Sequence, residues 1–219
     1  MYADDSTLYT SATTATEMTA TLNKEPQLVS ELVARNKLAL NISKTKSNVF
    51  GRKPSLNPKP PLNRVINNVE IEQVEMTKLL GVTLDCKLSW SKHIDAVVAK
   101  MWRSLSIIKR CSAFLTTLST RQVLQTLVLS HLGYCSVVWS GATKKDLGKL
   151  QLAQNRAAQL ALGCTQRANI NNMHVNLSWL KVEERLTSSL LLFMRGIDML
   201  NAPSCLSKLL AHSSDTQEK

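Results

Sequence analysis

Near residue 88 the spacing of apolar residues changes, and that change limits the folds open to this chain. Residues 64–85 carry Val69 and Ile71, then Leu80, Val82 and Leu84. This is the period of two that a half-buried strand requires. Asn67-Asn68 suits the turn of a hairpin. After Ser89 the period lengthens: Ile94, Val97, Met101, Leu105 and Ile108 recur every three or four residues, as one face of a helix would. Ser119 is the expected cap of a second helix carrying Val123, Leu124, Leu127 and Val128. A third is expected over 144–162, with Leu147, Leu150, Ala153, Ala157 and Leu160 on one side, and a fourth over 182–200. The expectation is an α+β chain in two parts: residues 1–88 with a hairpin and a small antiparallel sheet, and residues 89–219 as an all-helical bundle.

The front part is less regular. Residues 1–10, MYADDSTLYT, read as strand–turn–strand, with Asp4-Asp5 in the turn. Residues 14–37 read as a helix, opened by the capping box Thr14-x-x-Glu17, with Met18, Leu22, Val29 and Val33 near one face. Pro26 falls inside it. Its missing N–H and its ring should kink or split the helix, at a cost of up to ~3 kcal/mol unless it opens a second segment. Residues 38–42 and 47–50 are short strand candidates. Residues 51–63, with Pro54, Pro58, Pro60 and Pro61, read as an exposed loop.

Charge narrows the partners. The chain has 27 Lys+Arg against 16 Asp+Glu, a net charge of +11. The excess is absent from residues 1–50 and concentrated in 51–140, which carry +7, with +4 more in 141–219. A basic surface of this kind suits a polyanion, most often nucleic acid, although a basic protein without such a partner has the same composition. The five Cys, at 86, 111, 135, 164 and 205, have no C-x-x-C spacing, which argues against a zinc cluster or a disulfide framework. The four His are far apart in sequence. No apolar run approaches the ~20 residues that span a membrane. Met1 leads directly into Tyr-Ala-Asp-Asp, so no signal peptide is expected, and the expected location is intracellular, cytoplasmic or nuclear.

Tyr2-Ala3-Asp4-Asp5 is the segment that points to chemistry. Two adjacent carboxylates on a tight turn offer hard oxygen ligands for divalent cations, and two such ions can stabilise the attacking and leaving oxygens of phosphoryl transfer. Alone, an Asp-Asp turn is more often a solvated hairpin tip. Its company changes the reading. YADD followed by Ser6-Thr7-Leu8-Tyr9 resembles the third palm motif of reverse transcriptases of LINE-type (non-LTR) retrotransposons. Leu38-Ala39-Leu40-Asn41-Ile42-Ser43-Lys44-Thr45 resembles the next palm motif, L-x-L-N-x-x-K-T. Leu79-Leu80-Gly81-Val82-Thr83-Leu84-Asp85 with Leu88-Ser89-Trp90-Ser91-x-His93-Ile94 resembles the primer-side hairpin. Tyr134-Cys135-Ser136-Val137-Val138-Trp139 and Leu150-Gln151-x-x-Gln154-Asn155-Arg156-Ala157 resemble thumb and connector. Leu177-Ser178-Trp179-Leu180-Lys181-Val182-Glu183-Glu184-Arg185 resembles the tail. The blocks occur in the family's order.

The resemblance implies an RNA-directed DNA polymerase that uses Mg²⁺ and binds RNA and DNA. It implies residues 1–88 as a partial palm and 89–219 as a helical thumb, connector and tail. Asp4 and Asp5 match the metal-binding pair, and Lys44 matches the lysine that neutralises triphosphate or protonates pyrophosphate; a solvated loop lysine is the alternative. Gly81 is expected to serve backbone geometry beside the primer. Arg103, Lys109, Arg110, Lys144 and Lys145 are the nucleic-acid-binding candidates, with solvated helix faces as the alternative. Trp90, Trp139 and Trp179 are expected in the core rather than as base-stacking platforms. The family's first palm aspartate and fingers have no counterpart in the 219 residues, so the chain by itself is expected to be inactive; a non-catalytic nucleic-acid-binding remnant is the second reading. Pro26 and Lys181 depart from the family pattern, where a helix former and a proline are usual. Residues 44–94 also resemble a segment at the front of some AlkB-type alkylation-repair and tRNA-methyltransferase proteins. The iron triad and the methyl-donor loop those chemistries need are missing here.

Overall fold

The computed structural model describes residues 6–12, 15–51, 65–67, 69–165, 167–200 and 203–207. The fold is α+β, with helices and two small antiparallel sheets. It forms two compact units, Met1–Leu88 and Ser89–Lys219.

In the front unit, residues 6–12 form no strand, and Tyr9 is 91% exposed. The described part of the expected strand–turn–strand is therefore not a strand. Residues 1–5 and 52–64 lie outside the described residues, as does Thr14 of the expected capping box. Helix α1 (Ala15–Arg35) runs through Pro26 as one element rather than two. It ends in a Schellman-type reversal: the Leu38 N–H donates to Val33 O and the Lys37 N–H to Ala34 O, at 3.0 Å each. Lys37 takes the left-handed conformation there, at φ +55°.

Residues 38–41 are not a strand, and Ile42–Lys44 closes a 3₁₀ turn. Asn41 accounts for this. Its side-chain oxygen accepts from the Ser43 hydroxyl at 2.8 Å and from the Lys44 N–H at 3.3 Å. Thr45 Oγ1 donates to Asn41 O at 2.9 Å. Local bonds of this kind compete with a ladder and here they prevail. The candidate strand at 47–50 reduces to one parallel bridge, Ser47 with Gln73.

The hairpin expected at Asn67-Asn68 is present. Strands β1 (Val65–Ile66) and β2 (Val69–Glu70) pair antiparallel, and Asn67 has φ +50°. Strands β3 (Met76–Leu79) and β4 (Val82–Asp85) form a second hairpin, with Leu79 opposite Val82. Leu80 therefore sits in the turn instead of the strand. Leu80 and Gly81 both have positive φ, +44° and +83°, as a type I′ turn requires. Glycine adopts that conformation without strain and leucine does not. The described front core is small: Val49, Ile66, Ile71 and Val82.

The back unit is helical. Helix α2 (Ser91–Cys111) buries Ile94, Val97, Met101, Leu105 and Ile108, the stripe read from the sequence. Helix α3 (Thr117–Leu124) starts earlier than expected: Thr116, not Ser119, is the cap, and its hydroxyl accepts the Ser119 N–H. A π turn, Gln125–Leu129, joins α3 to α4 (Ser130–Gly133). The π turn absorbs one extra residue and shifts the helix phase by about 100°. Leu124, Val128, Leu129 and Leu132 are then all buried, while Leu127, expected in the core, is 53% exposed. Helix α5 (Ser136–Trp139) follows, then α6 (Lys144–Leu162), α7 (Ile170–Leu177) and α8 (Val182–Leu200). Thr143 caps α6, and Gly163 ends it at φ +62°. The core is a single cluster built mainly on α2 and α6, with Trp139 fully buried and Trp179 nearly so.

Candidate nucleic-acid interface

Asp4 and Asp5 lie outside the described residues. Among the described residues, no group of three His, Cys, Asp or Glu side chains is placed to hold a metal ion. Also among them, no helix is long and apolar enough to cross a membrane. Lys44 is exposed at the end of the 3₁₀ turn that Asn41 caps. The Asn and Lys of the L-x-L-N-x-x-K-T pattern are thus joined by a hydrogen bond: the asparagine side chain fixes the backbone that carries the lysine.

The other candidates belong to the back unit. Arg103, Lys109 and Arg110 are exposed on α2, and Lys144 and Lys145 are exposed in the first turn of α6. Arg103 and Arg110 are seven residues apart and Lys92 lies eleven before Arg103. At 100° per residue these three fall within about 20° of one line, on the side opposite the buried stripe. Arg103 Nε donates to Ala99 O of its own helix at 3.3 Å. Lys109 lies on a different line. Lys100 adds a fifth cation to α2, whose sole acid is Asp95.

Lys149, on the same helix as Lys144 and Lys145, is held by protein carboxylates. Its Nζ stands 2.6 Å from Asp95 Oδ1 and 2.9 Å from Asp146 Oδ1. Asp146 is buried and also accepts from the Ser91 hydroxyl at 2.7 Å and the Thr143 hydroxyl at 2.9 Å. These partners, the Lys149 hydrogen bond first, push its carboxyl down to about 2 against the cost of burial. The cluster ties α2 to α6, with one ammonium shared by two carboxylates.

A second polar cluster was not visible as such in the sequence. Gln151, Gln154 and Asn155 project from α6 toward the α7–α8 connection. Gln151 Oε1 accepts the Val182 N–H at 2.9 Å, and Gln154 Nε2 donates to Leu180 O at 2.8 Å. Gln151 Nε2 donates to Asn155 Oδ1 at 2.8 Å. Buried His174 stands with Nε2 2.9 Å from Asn155 Oδ1 and Nδ1 3.3 Å from Trp179 O. Burial pushes the His174 imidazole below its ordinary range, the bond to Trp179 opposing it. At the start of α8, Glu184 Oε2 accepts the Lys181 N–H at 2.8 Å, the returning arm of a capping box. Arg121 donates to Leu177 O at 2.7 Å and so satisfies a terminal carbonyl of α7.

Two separated stretches, 150–157 and 177–185, are thereby one packed unit. The chain is 25% identical over 190 residues, 85% of its length, to the "Probable RNA-directed DNA polymerase from transposon BS" of Drosophila melanogaster. It is 28% identical over 156 residues, 68% of its length, to the "Probable RNA-directed DNA polymerase from transposon X-element" of the same fly. The chain resembles the reverse transcriptases of non-LTR retrotransposons. It spans only 21% and 16% of those two relatives. No family model and no solved structure matches it. Mapped onto the fold, the sequence blocks that resemble reverse-transcriptase motifs fall on the Asn41-capped turn, the β3–β4 hairpin, the α4–α5 turn, α6, and the α7–α8 connection. Trp139 and Trp179 in these blocks are core residues, as expected, and Trp90 is half-buried against the same core.

Proposed function

We propose that the chain is the back part of an RNA-directed DNA polymerase of a non-LTR retrotransposon, with residues 1–88 the remainder of the palm and 89–219 the thumb, connector and tail. The order of the family's blocks, in a chain matched over 85% of its length by a transposon polymerase, supports this reading. In it, Asp4 and Asp5 supply carboxylates on one side of a site for Mg²⁺, which when bound stabilises the attacking and leaving oxygens of nucleotidyl transfer. Lys44 sets an ammonium beside the leaving phosphates, on a backbone held by Asn41. Arg103, Arg110, Lys144 and Lys145 hold the nucleic acid, with Lys109 reaching it from the flank of α2.

The 219 residues alone do not polymerise on this reading, because the opposing carboxylate and the fingers that align the nucleotide are not among them, and positioning is a large part of the rate. Primer extension on an RNA template with Mg²⁺ or Mn²⁺ tests it. No extension is expected from the chain or from Asp4→Asn. Extension is expected when the upstream palm and fingers of such a polymerase are joined to it, and it should disappear with Asp4→Asn. Extension by the unmodified chain that Asp4→Asn abolishes would overturn the assignment of what is missing.

The five cations of α2 favour a second activity that survives without chemistry, sequence-independent binding of RNA or DNA. Such binding is driven by counterion release, with dissociation constants of roughly 10⁻⁴–10⁻⁶ M. Log affinity should fall linearly with log salt, and an affinity indifferent to salt would refute it.

A further inference from the structure

Of the four tryptophans, Trp139 and Trp179 are buried and Trp90 is half-buried, whereas Trp102 is 43% exposed. Trp102 lies on α2, the helix with five Lys and Arg and one acid. That acid, Asp95, is already matched by Lys149. At 100° per residue Trp102 sits about 100° off the buried stripe, near the line of Lys109 seven residues on, with Arg103 a further 100° round the helix. Part of the indole is thus open to a ligand on a helix whose other exposed groups include five cations. A partly open aromatic face on such a helix fits a nucleobase whose phosphates the helix's cations hold.

We infer that Trp102 is a stacking platform for an unpaired base of single-stranded RNA or DNA, with Arg103 and Lys109 holding the flanking phosphates. The inference rests on the proposed nucleic-acid binding and adds the strand state of the ligand. A duplex hides its base faces by stacking them on one another, so the indole distinguishes single strands from duplex, while the cations serve both. Stacking is not ionic, so Trp102 and the cations leave different marks on salt dependence.

The experiment titrates the full chain with a fluorescently labelled single-stranded oligothymidylate, an oligouridylate and a blunt DNA duplex of equal length, over a range of salt. Trp102→Ala should weaken both single strands about tenfold and leave the duplex and the salt slope unchanged. Trp102→Phe should recover most of the loss. Arg103→Ala should weaken all three ligands and reduce the salt slope by about one. Thermal melting of Trp102→Ala should match the parent, which separates loss of stacking from loss of fold. Single-strand binding unaffected by Trp102→Ala, or an equal loss for duplex and single strands, overturns the inference and leaves the proposed function standing. Absence of all binding by the parent chain overturns both.

Discussion

Asp146 accepts hydrogen bonds from Ser91 on α2 and Thr143 at the head of α6 while facing the Lys149 ammonium. With its carboxyl pushed down to about 2 from an ordinary 3.8, the folded state favours the ionised form. The stabilisation it provides is therefore complete above about pH 4, and it is lost as pH falls through the folded value. Asp146→Asn keeps the shape but weakens three charge-assisted contacts. We expect it to lower unfolding free energy at neutral pH by about 1–2 kcal/mol. It should also flatten the acid arm of a stability-against-pH curve between about pH 4 and pH 2. Denaturant melts at a series of pH values check both, and a parallel downward displacement of the whole curve would contradict the linkage. The sequence assigns Trp90, Trp139 and Trp179 to the core and makes no assignment for Trp102, whose 43% exposure agrees with its position off the Ile94–Ile108 stripe. The Lys149 pairing was only half legible: Asp146 lies three residues before it on α6, a spacing the sequence shows, whereas Asp95 lies 54 residues away on α2.

Among the elements, α2, α6 and α8 were readable because each shows an uninterrupted apolar repeat over about 20 residues. The short helices were not. Helix α7, Ile-Asn-Asn-Met-His-Val-Asn-Leu, buries Met173, His174 and Leu177, and its polar residues mask that face. Residues 38–42 misled in the opposite direction: Leu38-x-Leu40-x-Ile42 alternates like a strand, but the hydrogen bonds of Asn41 bend the backbone into a turn. The hairpin at Leu79–Val82 was legible only through the family resemblance, since the alternation of Leu80, Val82 and Leu84 reads as one strand running through the Leu80-Gly81 turn. The polar row of α6 carries its own prediction. Gln151→Ala removes the acceptor for the Val182 N–H and the donor to Asn155. A buried donor left unsatisfied costs about 1–3 kcal/mol. Thermal melting should fall accordingly, and more than for Gln125→Ala, whose side chain is exposed on the π turn. Equal effects of the two substitutions would show that the row contributes nothing.

The whole molecule is unevenly built. The described front unit buries four apolar side chains, all on short strands or in the segments beside them, while the back unit buries a contiguous cluster that runs from Ile94 to Leu186. Strands of two and four residues at the edges of two-stranded sheets open readily. Hydrogen exchange should therefore be faster for the amides of β1–β4 than for those of α2 and α6, and equal protection in the two units would count against this. The candidate catalytic residues follow the same division: Asp4, Asp5 and Lys44 belong to the front unit and the candidate phosphate-holding cations to the back. The α7–α8 connection has a consequence for how the chain is made. Gln154, His174 and Gln151 receive their last partners from Leu180, Trp179 and Val182 respectively. During synthesis α6 leaves the ribosome with its buried-to-be amides still facing water, and the back unit cannot close until the start of α8 has followed it out. A stop codon before residue 182 would therefore leave, in place of a slightly shorter protein, a nascent chain whose central helix never acquires its closing partners.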